Sequence, residues 1–203
     1  MKKLLCLLLA LVLTLAPVTA FAETADDAKK TEKEEKPSAR QGIYVEDWYD
    51  YRMPYVIKVD RTNQLISIYS ESSPGNFDTL VHRYICSTGT KSDPTPKGMF
   101  TLSDARRTEW RYFKTYKTYV RYGVHIKGNY FFHSLLYKKP DTSTLSKTSY
   151  KKLGSRASHG CIRMLDDDIK WMFDNCLAGT RVYVMDCKKD TELHDQYMPE
   201  PLE

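Results

Sequence analysis

A chain of 203 residues with a formal net charge of +5 is long enough for one domain with a full core, and too weakly basic to indicate nucleic acid as a partner. Past residue 22 it holds Cys86, Cys161, Cys176 and Cys187, whereas a disulfide-dense secreted scaffold is smaller and richer in cysteine.

The chain begins with Met1-Lys2-Lys3, then an almost wholly apolar run from Leu4 to Val18, then Ala20-Phe21-Ala22. This is the pattern of a secretory signal peptide over 1–22, cut after Ala22. The run is short for a membrane span, which takes about 20 residues. Cys6 lies too early, with the wrong neighbours, for a lipoprotein cysteine. The expected location is therefore extracytoplasmic, in the cell wall or periplasm. Loss of Lys2 and Lys3 leaves a mildly basic chain, suited to an anionic surface such as a bacterial wall. Residues 23–42, ETADDAKKTEKEEKPSARQG, carry both charge signs and almost no large apolar residue. Such a stretch cannot offset its ordering entropy, so a disordered linker is expected. The domain is expected over 43–187, followed by a polar, frayed tail over 188–203 that holds Pro199 and Pro201.

YVIKVDRTNQLISIYS reads as two strands around a turn at Thr62-Asn63, with Ile57 and Val59 alternating with Lys58 and Asp60. A loop from Ser72 to Asp78 leads to a third strand, TLVHRYICST. GTKSDPTPKG, with two prolines and two glycines, is a rigid loop, and MFTLSD resumes extended character. RRTEWRYFKTYKTYVRY alternates basic and aromatic residues, which predicts exposed sheet surface first and a groove for sugar-peptide strands second. KTYVRYGVHIKG and NYFFHS form a strand pair turning near Gly128-Asn129, and TRVYVMD is a late strand. Two segments argue for helix: Asp166–Cys176, with Ile169, Met172, Phe173 and Cys176 at three- and four-residue spacings, and a short turn at Thr148–Leu153. Many short strands and one or two short helices predict a mainly β fold, an antiparallel sandwich of two packed sheets.

RASHGCIRM, residues 156–164, crowds Ser158, His159, Gly160, Cys161 and Arg163 together. A cysteine nucleophile attacks as the thiolate, from a thiol whose ordinary pKa is about 8.5. It needs a nearby imidazole to take the proton and N–H groups to hold the oxyanion. Gly160 permits close approach. Asp166, Asp167 and Asp168 open a helix just downstream, and its dipole favours a thiolate. His159 shares a strand face with Cys161, and His133, at the end of YFFHS, is a second candidate base. Packing is the ordinary reading of a buried cysteine, and it holds for Cys86 and Cys176. A metal site from His133, His159 and Cys161 is weighed and set aside, because no Cys-x-x-Cys joins them.

SHGCIRM, with the upstream His133-Ser134 and the loop PTPKGMF, resembles the YkuD-type catalytic domain of the bacterial L,D-transpeptidases over about Tyr55 to Asp186. The resemblance implies a β-sandwich with a helix after the cysteine strand. It implies Cys161 as nucleophile and His133 as general base, with Ser134 orienting His133 through its carbonyl. His159 and Gly160 would line the acyl site, with the Gly160 and Cys161 amides near the oxyanion. Arg163 and Ser158 are the substrate-side residues, Ser158 also supporting the turn. The implied activity is peptidoglycan cross-linking in cell wall biogenesis through a cysteine thioester. Stem peptides would serve as donor and acceptor, and carbapenems as inhibitors. An L,D-carboxypeptidase using the same cysteine and a catalytically silent wall-binding module are the alternatives. No cofactor, no nucleic acid and no transmembrane partner are implied, and the expected form is a monomer. Twenty-four residues separate His133 from Ser158, longer than is usual in that family, and the surplus over 137–154 is expected to be a flap over the site.

Overall fold

The computed structural model describes residues 53–202; the expected signal peptide and linker lie outside the described residues. β1 (Tyr55–Asp60) and β2 (Leu65–Ser73) form the expected hairpin. Asp60 fixes its turn by accepting from the Thr62 and Asn63 amides at 2.8 and 3.2 Å and from the Asn63 side chain at 2.7 Å, an aspartate-stabilised turn. β3 (Asn76–Ile85) follows after only Pro74-Gly75. The predicted loop from Ser72 to Asp78 is thus a tight hairpin, made possible by Gly75 at φ +84°.

β4 (Gly98–Thr101) and the long β5 (Ser103–Phe113) lead through a single 3-10 turn, Lys114–Tyr116, to β6 (Thr118–Lys127) and β7 (Tyr130–Ser134). α1 (Lys147–Lys151), β8 (Ile162–Met164), α2 (Asp166–Asn175), β9 (Arg181–Met185) and α3 (Thr191–Asp195) complete the order. One sheet runs β3-β2-β1-β9-β4 and the other β5-β6-β7-β8. Ile57, Val59, Ile66, Ile68, Val182 and Val184 from the first meet Val124, Ile126, Phe132, Ile162 and Met164 from the second in one buried cluster. Each large side chain fully buried there contributes roughly 1.5–3 kcal/mol. α2 adds Ile169 and Met172 to that cluster, packing on β6 and β7.

The architecture is the expected mainly β sandwich, but its sheets are mixed. β1 pairs in parallel with β9, and β7 with β8. A parallel pair needs a long crossover, and both partners here are far apart in the chain. The crossover from β7 to β8 contains the 137–154 surplus. Its two parts do different things: Tyr137, Lys138 and Ser146 line the cavity that holds Cys161, while Leu145, Tyr150 and Leu153 pack with Leu65, Ile85 and Leu135 in a second buried cluster. Ser146 caps α1 by accepting from the Ser149 amide at 3.2 Å.

The C-terminal segment is also more ordered than expected. Asp190 caps α3, accepting from the Leu193 amide at 2.9 Å. His194 meets the Asn63 carbonyl at 2.9 Å, and Leu193 and Tyr197 pack on the second cluster. The β1–β2 turn thus supplies the partners that the tail's own sequence does not reveal. Cys86 and Cys176 are buried, Cys161 partly so and Cys187 exposed, all four as free thiols. Among the described residues no helix is long and apolar enough to cross a membrane.

Candidate active site

The β7–β8 register builds the site. Phe132 lies beside Ile162, His133 beside Arg163 and Ser134 beside Met164. Side chains alternate along a strand, so Phe132, Ile162 and Met164 enter the core while Phe131, His133, Cys161 and Arg163 face the other way. All four of the latter line one cavity of about 800 Å³. Cys161 stands just ahead of β8, and its thiol lies 3.5 Å from the Asn129 carbonyl.

The turn before β8 is fastened through Ala157, Ser158 and Gly160. Ser158, buried to 1% exposure, donates through Oγ to the Cys161 carbonyl at 2.5 Å and accepts from the Gly160 amide at 3.1 Å. Gly160 has φ +99°, and a Cβ there would collide with the Tyr130 ring, so only glycine suits the position. Thr95, in the PTPKG loop, donates to the Gly160 carbonyl at 2.8 Å and accepts from the Gly89 amide at 2.9 Å. Residues 87–90 run alongside: the Ala157 and Ser158 amides donate to the Thr88 carbonyl at 2.9 and 3.1 Å, and Ser87 exchanges 2.9 Å bonds with Arg163. Gln64 carries this support inward, accepting from the Thr88 amide at 2.7 Å and donating to the Arg61 carbonyl at 2.5 Å. Arg61 donates to the Thr95 carbonyl at 2.5 Å and holds Asp186 through two bonds of 2.8 and 2.7 Å. Those bonds, with Lys97 nearby, hold the Asp186 carboxyl down to about 2. Buried polar groups satisfied in this way rigidify what they hold.

One expectation for this turn needs correction. The Gly160 amide, expected at the oxyanion, is bonded to Ser158 instead. Ser158 supports the turn through its hydroxyl, as expected, and also lines the cavity.

His133 is 2% exposed, and its Nδ1 lies 2.6 Å from the Ser134 carbonyl. That acceptor requires the proton on Nδ1 and leaves Nε2 with a lone pair. Burial first, then the charges of Arg163 and Arg111, push its pKa down to about 3 against the opposing Ser134 bond, so it is neutral. The Ser134 side chain points the other way, accepting from the Arg121 amide at 2.7 Å. Burial raises the Cys161 thiol, while a bond from the Phe131 amide and the charge of Arg163 favour its thiolate. Thiol and imidazole are both neutral at rest. His159 is exposed and stacks on Tyr116 at 4.6 Å, so the 3-10 turn of the β5–β6 hairpin walls the cavity together with Tyr137, Lys138 and Ser146 of the 137–154 segment. Among the described residues no cluster of three or more His, Cys, Asp and Glu is placed to hold a metal ion.

Gln64, Thr88, Thr95, Arg111 and Tyr116 escaped the sequence reading. Only PTPKG and the basic-aromatic run of β5 signalled any of them, and neither singled out a residue. A cysteine just ahead of β8 and a neutral histidine on β7 thus face one cavity of a β-sandwich.

Over residues 54–184 the chain matches the L,D-transpeptidase catalytic domain, YkuD, and it belongs to that family. It is 39% identical over 97 residues to the Bacillus subtilis (strain 168) protein designated L,D-transpeptidase YciB, covering 47% of this chain and 48% of that one. A shorter match of 34 residues, 56% identical, links it to Escherichia coli (strain K12) ErfK/SrfK, over 17% of this chain and 11% of that one. The chain therefore spans about half the length, or less, of these curated relatives. Among solved structures, LD transpeptidase LdtMt1 in complex with imipenem shares the fold, with a TM-score of 0.51 at 19% identity over 65% of this chain and 59% of that one.

Proposed function

We propose that this domain is a peptidoglycan L,D-transpeptidase working through a thioester on Cys161. The family supports a peptidoglycan-modifying enzyme acting on stem peptides. The finer reading rests on one observation: His133, buried and neutral with Nδ1 bound to the Ser134 carbonyl, faces the cavity that also holds Cys161. Cys161 attacks the carbonyl of the diamino residue that precedes a terminal D-amino acid. His133 Nε2 takes the thiol proton as the C–S bond forms. Because burial disfavours a resting ion pair, proton transfer and attack are coupled. Arg163 and the Phe131 amide stabilise the negative charge passing through sulfur, and the Cys161 amide is the backbone donor proposed for the oxyanion. As the tetrahedral intermediate collapses, the C–N bond breaks and His133 returns the proton to the departing D-amino acid. An amine of a second stem then attacks the thioester, gives its proton to His133 and releases the thiol. His159 with Tyr116 walls the acyl site. The chain acts outside the cytoplasm in cell wall biogenesis, as a monomer and with no cofactor in any step.

Products from a purified tetrapeptide-stem fragment, weighed by mass spectrometry, test this. The expected product is a dimer whose mass is two stems less one terminal D-amino acid. Tripeptide with free D-amino acid instead identifies the L,D-carboxypeptidase on the same thioester. No product beyond that of Cys161→Ala protein overturns the enzymatic reading and leaves a wall-binding module.

A further inference from the structure

The charged side chains lining the cavity are all cationic: Arg106, Arg111, Lys114, Lys117, Lys138 and Arg163, with no aspartate or glutamate among them. Two of these are built differently from the rest. Arg163 spends one N–H on the Ala157 carbonyl at 3.1 Å, and Arg111 donates to the Arg106 carbonyl while lying over the Phe131 ring at 4.8 Å. In both, Nε is buried and has no protein acceptor. Among the described residues neither guanidinium has a carboxylate partner, unlike Arg61 and Arg121, which do. Both line the cavity that holds His133, Arg163 beside it in the β7–β8 register and Arg111 over the ring of Phe131 two residues before it. A buried guanidinium N–H left without an acceptor is costly to a fold, and a planar carboxylate is the group a guanidinium fork fits.

We propose that Arg111 and Arg163 form a carboxylate subsite that takes the free C-terminal carboxylate of the acyl donor, so that the enzyme reads a stem by its terminal charge. The inference rests on the reaction proposed above and adds the group that positions its substrate. Arg163 stands two residues beyond Cys161, about 6.6 Å along the strand. In the donor, one residue, about 3.5 Å of chain, separates the attacked carbonyl from the terminal carboxylate, and the guanidinium spans the remainder. Arg111 lines the same cavity from β5, in a different part of the sequence from the cysteine motif. Arg163 then has two duties, a counter-charge for sulfur and a clamp on the leaving residue, while Arg111 has only the second.

Calorimetric binding to folded Cys161→Ala protein separates this from the chemistry. Three tetrapeptide stems are compared: the free acid, the C-terminal amide, and the free acid amidated at its second residue. The terminal amide should bind about 10–100-fold more weakly than the free acid, as expected for losing charge-assisted hydrogen bonds. The second-residue amide should bind like the free acid. Arg111→Gln in the same background should bring acid and terminal amide close together, and Arg111→Lys should restore part of the difference. Equal binding of acid and terminal amide, no binding of either, or a loss that follows the second-residue amide would overturn the subsite. An Arg111→Gln change that weakens all three peptides equally assigns Arg111 to packing on Phe131 and also overturns it. In the active enzyme, equal turnover of acid and terminal amide sinks the subsite and leaves the reaction standing. Turnover of neither sinks the reaction.

Discussion

Each sheet contains one parallel strand pair, and the two pairs do different work. In β1–β9, Ile57 lies beside Val182 and Val59 beside Val184, all in the core. Lys58 and Tyr183 on the other face are half-buried at the surface. β2 and β4 flank the pair, so it sits inside its sheet. In β7–β8 the inner face is just as apolar, with Phe132 beside Ile162. Its outer face is walled by the β5–β6 hairpin and the SHGC turn, and there it carries His133, Cys161 and Arg163. β8 is only three residues long and ends its sheet, braced from outside by residues 87–90. Parallel pairing supplies side-by-side placement in both cases. The candidate site lies where the second face is enclosed without being filled.

The comparison breaks most visibly at His133. Its replacement by glutamine should slow thioester formation about 10²–10⁴-fold, read by single-turnover mass spectrometry, with the fold retained. The matching insult to the other pair is Ile57→Ala. It should cost about 2–5 kcal/mol in urea unfolding and leave the acylation rate per folded molecule unchanged.

This contrast also explains what the sequence reveals. The β1–β2 hairpin is legible because Ile57 and Val59 alternate with polar residues up to a turn-forming Thr62-Asn63, and α2 because Ile169, Met172 and Phe173 keep helical spacing. Such patterns are local. Which strand lies beside β1 or β7 is decided by core packing across more than a hundred residues in one sheet and by a long crossover in the other, so both parallel pairs are silent in the sequence. The site divides the same way. Cys161 and His133 announce themselves by residue type and company. Thr95 and Gln64 are unremarkable residues that become supports only when the fold delivers backbone to them. Arg111 hides in a run whose alternation reads as ordinary surface.

A smaller effect sharpens the contrast through pH. Folded His133 takes a proton only near pH 3, while an unfolded histidine does so near 6.5. The stability linked to it is fully present above pH 6.5 and falls as pH drops toward 3. His133→Gln removes that dependence, so wild type should lose ground to it steadily below pH 6.5 in urea titrations. Ile57→Ala should stay a constant distance below wild type over the same range. Asp186, held down to about 2, acts in all three proteins and cancels in the comparison.

The central claim, a nucleophilic Cys161 served by His133, is tested most directly by intact-protein mass spectrometry with a carbapenem, followed by mapping of the adduct. The four thiols differ enough to make the outcome sharp. Cys86 and Cys176 are buried and pushed up, Cys176 to about 12, and Cys187 is the exposed competitor. The account predicts one adduct per folded chain on Cys161, none in Cys161→Ala, and slow formation in His133→Gln. An adduct on Cys187, or equal rates with and without His133, would contradict it.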